Sequence, residues 1–161
     1  MSEIAPCLWF DGQAEVAAHF YVSVFPNSSI GTISYYSEGM HLPAGTVLLV
    51  ELTLNGRRFQ ALNGGPQFTF SEAISFSVPC ADQAEVDRYW EVLSADGGAP
   101  GPCGWLKDRF GVSWQIAPEV VFRMMKDGSR EQVGRMMGAL MQMSKLEVAA
   151  LEAAYAGEGA A

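Results

Sequence analysis

The chain has 161 residues, 49% hydrophobic and 17% charged, a globular and not a disordered composition, and no run approaches the roughly 20 apolar residues of a membrane span. The net charge of −8 lies in the first 96 residues, where eleven acidic side chains meet three arginines; seven of each balance from Gly97 onward. An acidic body with no basic, aromatic-bearing stripe repels phosphate backbones, which argues against nucleic acid as a partner.

In chain order, Met1 to Phe10 lacks the basic start, apolar run and cleavage site of a signal peptide. Cys7-Leu8-Trp9-Phe10 reads as a strand, with Asp11 placed to cap a following helix and Glu15 in that helix's first turn. Ile30 to Ser37 and Thr46 to Leu54 are strand-like, and Asn55-Gly56 signals a hairpin into Arg57 to Asn63. The sequence then repeats itself. Gln13-Ala14-Glu15-Val16 recurs as Gln83-Ala84-Glu85-Val86, an offset of 70 at which Phe20 also matches Trp90 and Val22 matches Val92. The second copy follows an apolar run, Ala73 to Pro79, and a capping Asp82. Val86, Tyr89, Trp90 and Leu93 form its helical stripe. A Gly/Pro-rich break, Gly97 to Gly104, leads to Trp105-Leu106-Lys107-Asp108, a turn at Arg109 to Gly111, and Val112 to Ala117.

Each half therefore reads β-α-β-β-β, an α+β fold in which two modules must pair to close a core. The expected organisation is one domain over 1–118, with modules of about 1–66 and 67–118, a helical extension over 119–156, and a frayed tail at 157–161. Val133, Met136, Met137, Leu140 and Met141 are spaced as a helical stripe; the methionines there fill an irregular core or a subunit contact, or else line a ligand surface.

Strand alternation separates the faces of the sheet. Val112, Trp114 and Ile116 share one face, and Ser113, Gln115 and Ala117 the other; Ile74, Phe76 and Val78 are likewise opposed to Ser75 and Ser77. With helices on the apolar side, Ser75, Ser77 and Gln115 line the concave side. The repeat adds Ala5, Cys7, Trp9 and Gln60. This neutral floor with aromatic walls suits an uncharged or planar organic ligand, or else its Gln and Ser residues bond to one another. Trp105 is a candidate lid or a core residue, and Asn63-Gly64-Gly65 a ligand-facing loop or a turn. Cys7 is a nucleophile only with a depressed pKa. Glu51 is either a desolvated general base or a partner of Arg57 or Arg58 across the hairpin. His19 and His41 fall on different elements with no matching acid pair, a poor metal pattern. Cys7, Cys80 and Cys103 fit no disulfide framework, so reduced thiols and a cytoplasmic setting are expected.

The runs Pro6-Cys7-Leu8-Trp9-Phe10-Asp11-Gly12, Ala61-Leu62-Asn63-Gly64-Gly65-Pro66, Gly101-Pro102-Cys103-Gly104-Trp105-Leu106-Lys107-Asp108 and Ser113-Trp114-Gln115 resemble the PhnB-like family. So does Ala149 to Tyr155. The family lies within the vicinal-oxygen-chelate superfamily of glyoxalase, bleomycin-resistance and dioxygenase proteins. The resemblance implies paired modules forming a curved mixed sheet around a pocket, in a homodimer. Members are often described as 3-demethylubiquinone-9 3-methyltransferases. A usual methyl-donor site needs a Gly-rich turn between strand and helix, whereas Gly97 to Gly104 holds two prolines and precedes a strand. In metal-dependent relatives each module supplies one His and one Glu; the matching positions here are Ala5 or Pro6, Ile74 or Ser75, Gln60 and Gln115. Neither a catalytic metal nor a cofactor is expected. The function expected is binding of a small neutral or aromatic molecule in a metal-free pocket; the alternative is a metal-independent lyase, isomerase or oxidoreductase.

Overall fold

The Asn55-Gly56 turn shows how local chemistry builds the first half of the chain. Both residues have positive φ, 47° and 76°, the twist a two-residue hairpin needs. Leu54 pairs with Arg57 directly across it. The computed structural model describes residues 4–158 and divides the chain into two units, 1–70 and 71–161.

In the first unit the elements are β1 (Cys7–Phe10), α1 (Ala14–Val24), β2 (Ser29–Tyr35), β3 (Val47–Leu54) and β4 (Arg57–Asn63), with sheet order β1-β4-β3-β2. β1 runs parallel to β4, and the other pairs are antiparallel. Val50, Leu52 and Leu54 alternate with Glu51 and Thr53, and the buried set lies opposite Ala61, Phe59 and the start of β4. α1 covers that face with Ala14, Ala17, Ala18, Tyr21 and Val24. The expected Asp11 cap is not formed: α1 begins after Gln13, with no side-chain cap. Gly12, at φ 83°, turns the chain first. The Ala14 amide instead donates to Asn63 Oδ1 at 2.9 Å.

The second unit repeats the order with β5 (Phe76–Cys80), α2 (Gln83–Ser94), β6 (Ala99–Pro100), β7 (Trp105–Lys107) and β8 (Ser113–Pro118), in a sheet ordered β5-β8-β7-β6. The α+β class and the β-α-β-β-β order of both halves are thus as the sequence indicates. Register makes the repeat explicit. Cys7 lies opposite Gln60 in one unit, and Ser77 opposite Gln115 in the other. Here Asp82 does cap its helix, Oδ1 accepting from the Glu85 amide, while Glu85 Oε2 accepts from Ala81 N. Val86, Tyr89 and Leu93 are buried beneath α2, and Trp90 is half-buried.

Three further helices follow: α3 (Glu119–Asp127), α4 (Arg130–Leu140) and α5 (Val148–Ala156). Val121, Met124, Met136, Leu140, Leu146 and Leu151 form their core. Met136 is fully buried, whereas Met125 and Met141 are exposed. These helices are part of the compact second unit, so the extension is not separate from the module it follows. The boundary between units falls at Phe70, a few residues past the expected one. No helix among the described residues is long and apolar enough to cross a membrane.

Candidate functional site

Asp108 sets the phase of β8. This buried carboxylate accepts from the Phe110 and Val112 amides through Oδ1, at 2.9 and 3.0 Å, and from Trp114 Nε1 through Oδ2, at 2.8 Å. With Trp114 and Ile116 held on the buried side, alternation turns Ser113 and Gln115 to the opposite face. Their cross-strand partners on β7 are Lys107 and Trp105 respectively. One face of the second sheet therefore presents two adjacent rows, Lys107 with Ser113 and Trp105 with Gln115.

The polar groups of this face are mostly paired. Gln115 Nε2 donates to Ser75 Oγ at 2.8 Å, and Ser77, opposite Gln115, is exposed. Lys107 Nζ meets Glu72 Oε1 at 2.5 Å. The ammonium's hydrogen bond holds the Glu72 carboxyl below the usual carboxylate range. Ser113 differs. It is 2% exposed, and its Oγ has no hydrogen-bond partner among the described residues.

A cavity of about 570 Å³ opens beside these rows, walled by Trp105, Leu106 and Pro102, with Lys107, Glu72 and Ser113 also lining it. Ala99 to Cys103 completes the wall from the β6 edge. Of the ligand-binding residues expected in this half, Trp105 lines the cavity; Gln115, Ser75 and Ser77 do not. They lie toward the β5 edge, where the Gln115–Ser75 bond occupies the amide. Lys107, Ser113 and Glu72 were not singled out from the sequence. Alternation assigns Ser113 the face of Gln115 and Lys107 that of Trp105, but the β7–β8 register that joins them is a long-range fact.

The first unit uses its candidates differently. Asn63 is 2% exposed; besides accepting from Ala14 N, it donates through Nδ2 to Val47 O at 3.0 Å and accepts Tyr36 Oη at its own carbonyl. Both ends of its amide are thus committed to the fold. Trp9 Nε1 donates to Gly65 O at 2.8 Å, and its ring meets Phe68 edge-on. Glu51 faces Arg58 at 3.6 Å across the hairpin. Cys7 is exposed on edge strand β1, yet partial burial of its sulfur pushes the thiol above its ordinary pKa, which favours the unreactive protonated form. Burial pushes Cys80 further, to about 12. His19 is exposed on α1, and His41 lies against Tyr36, its Nε2 3.2 Å from the phenol oxygen.

These donors do not make a site for a divalent cation. The four positions matching the relatives' ligands hold Ala5 or Pro6, Ile74 or Ser75, Gln60 and Gln115, all without ionisable oxygen or imidazole. The Gln115 amide is already bonded to Ser75. Among the described residues no three His, Cys, Asp or Glu side chains converge. Such neutral donors do not offset the desolvation of a divalent ion, so the set does not fit a metal. A methyl-donor cradle fits no better: Gly97 to Gly104 runs into β6 and β7, not into a helix.

Comparison with known proteins agrees with this architecture. The profile of the family described as 3-demethylubiquinone-9 3-methyltransferase matches residues 2–117. A PhnB protein from Bacillus cereus is 36% identical over 73% of this chain and 99% of its own, with a TM-score of 0.65. A Pseudomonas aeruginosa protein, 21% identical over 71% of this chain and 95% of its own, shares the fold at a TM-score of 0.57. No curated protein matches. On the family profile and the Bacillus relative together, the chain belongs to the PhnB-like family.

Proposed function

We propose that the second unit's cavity binds a small neutral or aromatic organic molecule without the help of a metal. The observation that supports this reading best is a largely apolar cavity whose two charges, at its solvent-exposed edge, are paired with each other. About 570 Å³ falls within the roughly 300–1,000 Å³ common for organic ligands. Trp105 and Pro102 offer flat apolar walls, and the two charges at the site, Lys107 and Glu72, neutralise each other. A ligand carrying net charge competes with that solvent-exposed pair; a neutral one leaves it intact. Methyl transfer, which the family description mentions, finds no support in the fold, because among the described residues no Gly-rich turn joins a strand to a helix.

Calorimetric titration with neutral two-ring compounds tests the reading. Binding is expected to persist in excess chelator and to fall about tenfold or more in Trp105→Ala, since a buried aromatic wall contributes a few kcal/mol. Loss of binding on chelation ends it. A second copy of the chain is the proposed partner, supported by Phe122 and Met125, exposed three residues apart on α3. Light scattering that returns a monomer at micromolar concentration ends that part. Free Cys7, Cys80 and Cys103 support a reducing, cytoplasmic setting.

A further inference from the structure

We propose that Glu72 is a built-in competitor for the cavity's one cationic position, and that it thereby sets the ligand class: neutral ring compounds are accepted and ring carboxylates are disfavoured. The inference rests on the binding reading above and assigns its charge selectivity to one residue. Trp105 and Lys107 stand on the same face of β7, with Leu106 buried on the other. Two residues along a strand span about 7 Å, a distance comparable to a two-ring skeleton. A planar ring lying against the indole therefore carries a substituent at its far end toward the Lys107 ammonium. Lys107 is the one cation among the described residues that line the cavity. An aromatic wall with an ammonium beside it is the pairing that a ring carboxylate would use.

Glu72 takes that place from within the chain. It lies ahead of β5, lines the same cavity, and its Oε1 is 2.5 Å from Lys107 Nζ. A tethered carboxylate meets its partner at high effective concentration, so a ligand carboxylate has to displace it and then sits beside the negative charge it has displaced. The side chains of Lys107 and Glu72 are 39% and 62% exposed. The ammonium is thus within reach of a ligand, and an ion pair so open to water discriminates by a few-fold and not absolutely. A hydroxyl-bearing ring needs no such displacement. The chain's net charge of −8 acts in the same direction, but only Glu72 acts through Lys107, and that difference is what an experiment can isolate.

The test is calorimetric titration of 2-naphthol and 2-naphthoate at neutral pH and low salt, on the full wild-type chain, Glu72→Gln, Lys107→Met and the double variant. The wild-type chain is expected to prefer 2-naphthol. In Glu72→Gln the affinity for 2-naphthoate relative to 2-naphthol is expected to rise about three- to fivefold, and most of that rise should vanish at high salt. Added to Lys107→Met, the same Glu72 substitution should leave the ratio where it was, because the ammonium it would have freed is gone. A ratio that does not move in Glu72→Gln overturns the inference. So does an equal rise in the Lys107→Met background, which would make the effect one of net charge alone. Either result leaves the binding reading standing as long as 2-naphthol binds the wild-type chain. If neither compound binds the wild-type chain or Glu72→Gln, both fall together.

Discussion

Gly64 and Trp9 compete for the same space. A Cβ built on Gly64 would overlap the Trp9 ring, so the absence of a side chain there is what lets the indole lie flat and reach Gly65 O. Gly64→Ala is expected to destabilise the first unit by about 1–3 kcal/mol, the usual cost of overpacking, read by urea denaturation. Trp9→Leu should relieve much of this, so the double variant loses less than the two singles combined; strict additivity would show that the two residues do not share the space. Asp108 has a comparable role in the second unit. Asp108→Asn keeps one acceptor oxygen for the Phe110 and Val112 amides but turns an NH₂ toward Trp114 Nε1. The expected loss is about 1–3 kcal/mol, accompanied by a changed near-ultraviolet signal from Trp114.

The two copies of the helix show how one task is done by different residues. α2 begins on Asp82, a local cap of the kind that sequence reveals. α1 begins on Asn63, 49 residues away in sequence. Asp82→Ala is expected to cost about 1 kcal/mol, the ordinary worth of a cap. Asn63→Ala is expected to cost about 2–4 kcal/mol, because it strands the buried Ala14 N and the part-buried Val47 O at once. Equal losses in the two variants would refute the distinction. The same contrast explains what the sequence could and could not reveal. Elements whose signals are local were legible: the Asn55-Gly56 hairpin, the Asp82 cap, the Val86–Tyr89–Leu93 stripe and the repeat itself. The Asn63 cap and the Lys107–Ser113 row were not, since each exists only once strands distant in sequence have paired. Gln13 and Gln83 make the point within the repeat. Gln13 is exposed, whereas Gln83 accepts from Val148 N at 2.7 Å and donates to Leu146 O. Only the second copy has helices following it to bind.

At the scale of the whole chain, those helices lie beyond residues 2–117, the part matched by the family profile, yet they brace the cavity wall. Cys103 N donates to Met143 O at 2.7 Å, Gly104 N to Ser144 O at 2.8 Å, and Ser144 Oγ back to Gly101 O at 2.6 Å. The segment is held to α2 by Lys145, which meets Asp87 Oδ1 at 2.5 Å. The hydrogen bond from Lys145, with a second from Gln83, holds the Asp87 carboxyl below its usual pKa. The same bond to Asp87 holds the Lys145 ammonium above its own. A depressed carboxyl contributes stability that is present above its unfolded pKa and lost as pH falls through the folded one. A raised ammonium contributes stability that is present below its unfolded pKa and lost as pH rises through the folded one. The anchor is therefore intact at neutral pH and released in acid. Hydrogen exchange over residues 145–156 should accelerate as pH falls below the carboxylate range, beyond the intrinsic pH dependence. Asp87→Asn should flatten that response and exchange faster at neutral pH. If the wall needs this brace, releasing it must weaken the site. A chain ending after Pro118 is then expected to lose 2-naphthol binding, and Ser144→Ala, which removes only the Gly101 tie, to weaken it by a few-fold while the Cys103 and Gly104 bonds persist. Undiminished binding by a folded truncated chain would assign the helices to stability alone and leave the cavity to residues 71–118.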